Sequence, residues 1–169
     1  MTSFIKMLGL IAALASPVAS HAETLAMPET EVILTVSGAI SHSNIDGTAQ
    51  FDMQMLTDLD GTAFETTTIW TDGVQVFEGV ALDVLMDQLG VTEGTILATA
   101  INDYTVEIPV SDAVEGGPMV AYKVNGDTMS VRDKGPLWVV YPYDGNADYR
   151  SEVIYARSIW QLDRMEIVE

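Results

Sequence analysis

Apolar runs in this chain are short, because Gly, Asn and Asp interrupt them before most could complete a long helix. Turn residues at that density supply left-handed backbone and local side-chain hydrogen bonds, which favours many short strands over a helical bundle. One segment has a different period. Val80, Leu82, Leu85, Met86 and Leu89 recur at helical spacing, and Gly90 stands where a helix C-terminus needs left-handed backbone. That segment predicts one amphipathic helix.

The rest of the chain fills in around it. Val32, Leu34 and Val36 alternate with polar neighbours within 31–40, predicting an early strand, and 41–47 is a polar loop. Asp52 is placed to cap a short helix carrying Met55, Leu56 and Leu59, ended by Asp60-Gly61. Segments 64–70 and 74–77 frame Thr71-Asp72-Gly73 as a hairpin, with Trp70 at a strand end. Strands are expected at 95–101 and 104–109 around Asn102-Asp103, with a helical turn opening at Ser111. Segment 120–124 should pair with 128–131 across Asn125-Gly126-Asp127, and 137–141 and 159–168 complete the strands. The expected architecture is α+β, a mixed or barrel-like sheet with a few short helices.

At the N-terminus, Lys6 precedes an apolar run over 7–15, then Ser16-Pro17 and the small residues Ser20 and Ala22 around His21. This is the pattern of a signal peptide cleaved after Ala22, since the run is shorter than the roughly 20 residues that span a bilayer. Residues 23–169 are then of single-domain size. With 25 acidic residues against seven Lys and Arg, the net charge of −18 repels nucleic acid and anionic lipid at long range. An exported chain without cysteine must hold itself together by core burial alone, and it offers no thiolate. His42 stands alone once the leader is set aside, so no metal site is expected. A Ser-His-Asp arrangement would have to use it as the base.

Against this acidic background, Ser130-Val131-Arg132-Asp133-Lys134-Gly135-Pro136-Leu137-Trp138-Val139-Val140-Tyr141-Pro142 concentrates Arg, Asp, Lys and aromatic side chains, and is the leading candidate for a binding site. The order of segments from the aromatic hairpin through Phe77-Glu78-Gly79, Ala100-Ile101-Asn102-Asp103-Tyr104, Asn125-Gly126 and Gly135-Pro136-Leu137 resembles the molybdopterin-binding domain of the sulfite oxidase fold. Larger members carry a molybdenum-ligating cysteine near the hairpin, where this chain has Thr66-Thr67-Thr68-Ile69-Trp70. They also tend to carry Arg after the Gly-Pro pair, where this chain has Trp138. The Ser130 to Trp138 block and Tyr155-Ala156-Arg157-Ser158-Ile159-Trp160-Gln161-Leu162 are similar to small exported members of the fold, the PruR-like pterin-binding regulators. That resemblance implies a periplasmic protein that holds a reduced pterin without molybdenum. It also implies a partner, the periplasmic domain of an inner-membrane diguanylate cyclase or phosphodiesterase.

A pterin needs an aromatic wall for its face, a carboxylate or amide for its 2-amino edge and a donor for its 4-oxo group. Trp70 and Tyr104 are candidates for the wall, and Asn102 and Asp103 for the edge. Arg132, Lys134 and Arg157 are candidate donors, with Asp133 and Tyr141 beside them. The expected cavity is bordered by both the Asn102 to Tyr104 and the Arg132 to Lys134 stretches. Each residue has a structural alternative: Trp70 as packing, Asn102-Asp103 as a turn, and the Arg-Asp-Lys block as surface ion pairs. Strand periodicity places Trp138 and Tyr141 on opposite faces, so one of them should be core, and an extended chain from Tyr155 onward would set Arg157 and Ile159 on one face with Ser158 and Trp160 on the other. Two other readings stand beside the sensor: a molybdopterin-dependent oxidoreductase subunit, and a ligand-free interaction module.

Overall fold

The computed structural model describes residues 25–169, and the expected leader at 1–22 lies outside them. Ten strands form one sheet organised around β10 (Trp160–Val168). One edge of β10 carries β5 (Thr95–Ala100) antiparallel; the other carries β9 (Leu137–Val140) antiparallel at its start and β1 (Val32–Gly38) parallel further along. Beyond β1 lies β2 (Ala49–Asp52), and beyond β9 come β7 (Met119–Val124), β4 (Val74–Ala81) and β3 (Gly61–Thr67) in that order. The strand β6 (Thr105–Pro109) closes a hairpin on β5, and β8 (Asp127–Thr128) is a short edge on β7. The sheet curls into a half-barrel, and the helices are few and short.

The alternation read from the sequence becomes burial. Leu34 and Val36 of β1, Phe77 and Val80 of β4 and Ile96 of β5 are fully buried, as are Leu82, Leu85 and Leu89 of α2 (Leu82–Leu89). Each such side chain removed from water contributes about 1.5–3 kcal/mol, which is what a chain without disulfides must rely on. Gly90 ends α2 at φ +68, with its N–H bonded to the Asp87 carbonyl. Asp52 caps α1 (Met53–Asp58) by accepting from the Met55 N–H at 2.9 Å, and its other oxygen accepts from the N–H groups of Glu29 and Thr30. This one carboxylate therefore ties the segment before β1 to the start of α1. Gly79 is required by a close approach, because any Cβ there would run into the Val120 carbonyl across the β4–β7 pair.

Four local expectations are corrected. Val80 belongs to β4, opposite Val120, and α2 begins only at Leu82; strand and helix abut there, so the last inward strand residue continues the helical apolar spacing. Trp70 is not at a strand end, because β3 stops at Thr67 and a six-residue loop, 68–73, leads to β4. Val131 lies in a 3₁₀ turn (Val131–Asp133), so the hairpin with β7 ends at Thr128. The segment from Tyr155 onward is not extended: α3 (Glu152–Arg157) occupies it, capped by Ser151 accepting from the Ile154 N–H, before the chain enters β10.

Candidate functional site

A chamber of about 330 Å³ opens where the loop after β3, the β5–β6 turn, α3 and the start of β10 converge. Its walls are Trp70, Tyr104, Tyr155 and Trp160, with Asn102, Ser158 and Gln161 as the polar residues and Ala100, Ala156 and Ile159 between them. No lining residue carries a charge. Chambers of roughly 300–1,000 Å³ with mostly apolar walls and a few placed polar groups are what small-molecule sites look like.

Trp70 is the hub. Its ring lies 5.6 Å from Trp160, 5.8 Å from Tyr155, 5.9 Å from Trp138 and 6.3 Å from Tyr143, in every case edge-on. Edge-to-face contact sets the positive rim of one ring against the negative face of the next, adding about 0.5–1.5 kcal/mol per pair to the area buried. The loop that presents Trp70 is clasped at its root by Asp144, which accepts from the Thr67 N–H at 2.6 Å and the Thr67 hydroxyl at 2.9 Å. Those bonds hold the Asp144 carboxyl below the usual carboxylate range. Within the loop, the Thr68 and Thr71 hydroxyls are 2.7 Å apart and Thr68 Oγ1 accepts from the Trp70 N–H.

Behind the aromatic wall sits a buried polar network. The Tyr143 hydroxyl donates to Ser158 Oγ at 2.6 Å, Ser158 Oγ donates to the Ile154 carbonyl at 2.9 Å, and Trp138 Nε1 donates to the Ser158 carbonyl. Burial pushes the Tyr143 phenol up to about 12. At the mouth, Tyr104 is 58 % exposed and Trp160 37 % exposed.

Gln161 links the chamber to its surroundings. Its backbone is left-handed at φ +54, inside the irregularity where β10 pairs with β9, and such bulges re-aim side chains at strand ends. Its N–H donates to the Lys134 carbonyl, its Nε2 to the Val131 carbonyl, and its own carbonyl accepts from the Ile101 N–H. Trp160, Gln161 and Ser158 were not singled out as site residues by the sequence. A Ser-Ile-Trp-Gln run entering a strand directly after a Ser-capped helix was the available signal.

The structure distributes the expected site over several places. Trp70, Asn102 and Tyr104 line the chamber. Asp103 does not: its carboxylate is engaged by Arg164, which also pairs with Asp163. Arg132, Asp133 and Lys134 border a second hollow together with Thr71, Asp127, Thr128 and Trp138, and the two hollows share no lining residue. The single cavity bordered by both stretches is therefore corrected to two, whose aromatic linings touch where Trp70 and Trp160 lie 5.9 and 6.3 Å from Trp138. The Lys134 ammonium sits 5.7 Å from the Trp138 ring and 6.0 Å from the Trp160 ring, and Asp133 accepts from the Ser130 hydroxyl.

Tyr141 and Trp138 are both core, at 0 % and 1 % exposure, where one had been expected. A short strand facing packed elements on both sides can bury both of its faces, and all four residues of β9 are buried. The Tyr141 hydroxyl donates to Asp112, as does Arg157, each at 2.8 Å; neither Tyr141 nor Arg157 lines the chamber. Burial, first, and the Asp112 partner push the Tyr141 phenol far up.

The sequence model of the oxidoreductase molybdopterin binding domain matches residues 18–147. The chain belongs to that family. Comparison with curated proteins returns no match. The matched stretch supplies Trp70, Ala100, Asn102 and Tyr104 to the chamber, and the other lining residues, from Tyr155 to Gln161, follow it in the chain. A domain of this family points to a pterin-type ligand. Among the described residues no group of three or more His, Cys, Asp or Glu is arranged to hold a metal ion.

Proposed function

We propose that this protein is a periplasmic receptor for a reduced pterin carried without molybdenum. In this reading it reports the pterin to the periplasmic domain of an inner-membrane diguanylate cyclase or phosphodiesterase. The observation that carries the ligand assignment is the charge-free aromatic chamber around Trp70 and Trp160. Its rings supply the apolar walls a pterin face requires, the Asn102 amide nitrogen can donate to its 4-oxo group, and the Gln161 amide oxygen can accept from its 2-amino edge.

The complete molybdenum cofactor fits these residues poorly. The chain contains no cysteine to ligate molybdenum, and the chamber wall offers no Lys or Arg to a pyranopterin phosphate. A ligand-free module would need the cleft filled by its own side chains. Trp138 instead lies in the core and Trp160 forms a wall beside open volume, which favours a bound molecule. The signalling role is supported by the PruR-like segments, Ser130 to Trp138 and Tyr155 to Leu162, the second of which builds one side of the chamber. Binding could then shift a partner only by changing the free energies of that partner's conformations.

Anaerobic titration of the purified protein with tetrahydropterin, followed by Trp fluorescence, tests the ligand assignment, with elemental analysis run in parallel. Saturable uptake and no molybdenum are expected. Protein that takes up no reduced pterin, or that carries stoichiometric molybdenum, overturns it. Loss of the gene should change cellular cyclic di-GMP only in cells that make the pterin, and an unchanged level would remove the signalling role.

A further inference from the structure

We infer that the Trp70–Trp160 chamber is also an aromatic cage for the alkylated ammonium group of a small organic cation. This second class of ligand does not depend on the pterin reading. Four aromatic residues line one hollow: Trp70 packs edge-on against Tyr155 at 86° and Trp160 at 73°, and Tyr104 stands exposed at the mouth. Aromatic side chains on several sides of one hollow offer ring surface to a compact group from more than one direction, whereas a flat heterocycle can stack fully on only one of them. Quaternary ammonium groups are recognised by such walls, because the ring quadrupole attracts a cation that is only weakly hydrated.

Charge points the same way. No Lys or Arg lines the chamber, so nothing inside it competes with or repels a cation. Of the nearby bases, Arg157 is committed to Asp112 and Arg164 to Asp103 and Asp163. The whole chain carries −18, which raises the local concentration of small cations around it. The aromatic cluster already holds one cation outside the chamber, the Lys134 ammonium at 5.7 and 6.0 Å from the Trp138 and Trp160 rings. No carboxylate lines the walls, so recognition would come from ring faces and would discriminate charge at constant shape.

The test compares choline with dimethylbutanol, its neutral carbon isostere, by Trp fluorescence and thermal shift on the whole protein. Choline should bind saturably and the isostere about tenfold more weakly, the ratio expected from cation–π attraction in a partly desolvated cage. Trp160→Leu should lose most choline binding; Tyr104→Leu, at the exposed mouth, serves if the first variant fails to fold. Equal binding of the isostere, no saturable response to choline at millimolar concentration, or unchanged choline binding in a folded wall variant each overturns the inference. Reduced pterin is titrated separately into the same samples. Pterin uptake without choline selectivity refutes the cage alone, and choline selectivity without pterin uptake refutes the pterin reading alone.

Discussion

Arg157, the last residue of α3, donates to Asp112 in the short turn after β6 across 2.8 Å, and so fastens a wall of the chamber to the hairpin that carries Asn102 and Tyr104. The same Asp112 oxygen accepts from the buried Tyr141 hydroxyl. Removing Asp112 strands two donors, while removing Arg157 leaves Asp112 still bonded to Tyr141. Asp112→Ala should therefore destabilise the fold by about 2–3 kcal/mol and Arg157→Ala by about 1–2 kcal/mol. Urea denaturation of the two variants and their double mutant checks this, and equal losses would deny Asp112 its double role.

Alkali should act through the tyrosines behind the wall. Burial raises the folded-state pKa of Tyr143 from 10.0 to about 12, so stability is intact below the ordinary phenol value and is lost as pH rises from there toward 12. Tyr143→Phe removes the titrating group, and its thermal stability should fall less steeply than that of the wild type across that interval. Parallel slopes would mean that Tyr143 does not govern it.

Acid should act through Asp52. Four hydrogen bonds draw its pKa down from 3.8 to about 2, led by the Met55 N–H and joined by the N–H groups of Glu29 and Thr30 and the Thr30 hydroxyl. The folded-state pKa is depressed, so this contribution is present above pH 3.8 and disappears as pH falls toward 2. Asp52→Asn should be less stable than the wild type at neutral pH, and the gap should close over that range. A gap that persists at pH 2 would assign the loss to something other than ionisation.

Where chain and structure agree, the signals were local. The Asp52 cap, the Gly90 terminus of α2 and the strands around Asn102-Asp103 all came from residues acting within a few positions of one another. The chamber did not, because it is built by elements far apart in sequence, and Trp70 meets Tyr155 and Trp160 only after the sheet has curled. The strand alternation expected around Arg157 and Trp160 is absent for two physical reasons. A capped helix precedes β10, and the left-handed Gln161 resets the alternation just as the strand begins. Arg132 and Lys134 were grouped with the pterin site because bases are scarce in this chain, but charge composition cannot say that an aromatic cluster separates two hollows.

The β5–β6 turn allows the edge-recognition assignment to be tested between adjacent residues. Asn102 lines the chamber, and its Oδ1 is 3.2 Å from the Tyr104 N–H, leaving the amide nitrogen free to face a ligand. Asp103, at φ +67, carries its carboxylate outside the chamber to Arg164. If a pterin edge is read by the amide, Asn102→Ala should weaken reduced-pterin binding by about 1–2 kcal/mol, the worth of a hydrogen bond whose loss leaves a ligand acceptor unpaired. Asp103→Ala should leave affinity within about threefold of wild type, since the ion pair it breaks is exposed and contributes roughly 0–1 kcal/mol to stability. Calorimetric titration under anaerobic conditions separates them. The reverse order, with Asp103→Ala the damaging change, would mean that the carboxylate leaves Arg164 to meet the ligand and that the turn rearranges on binding.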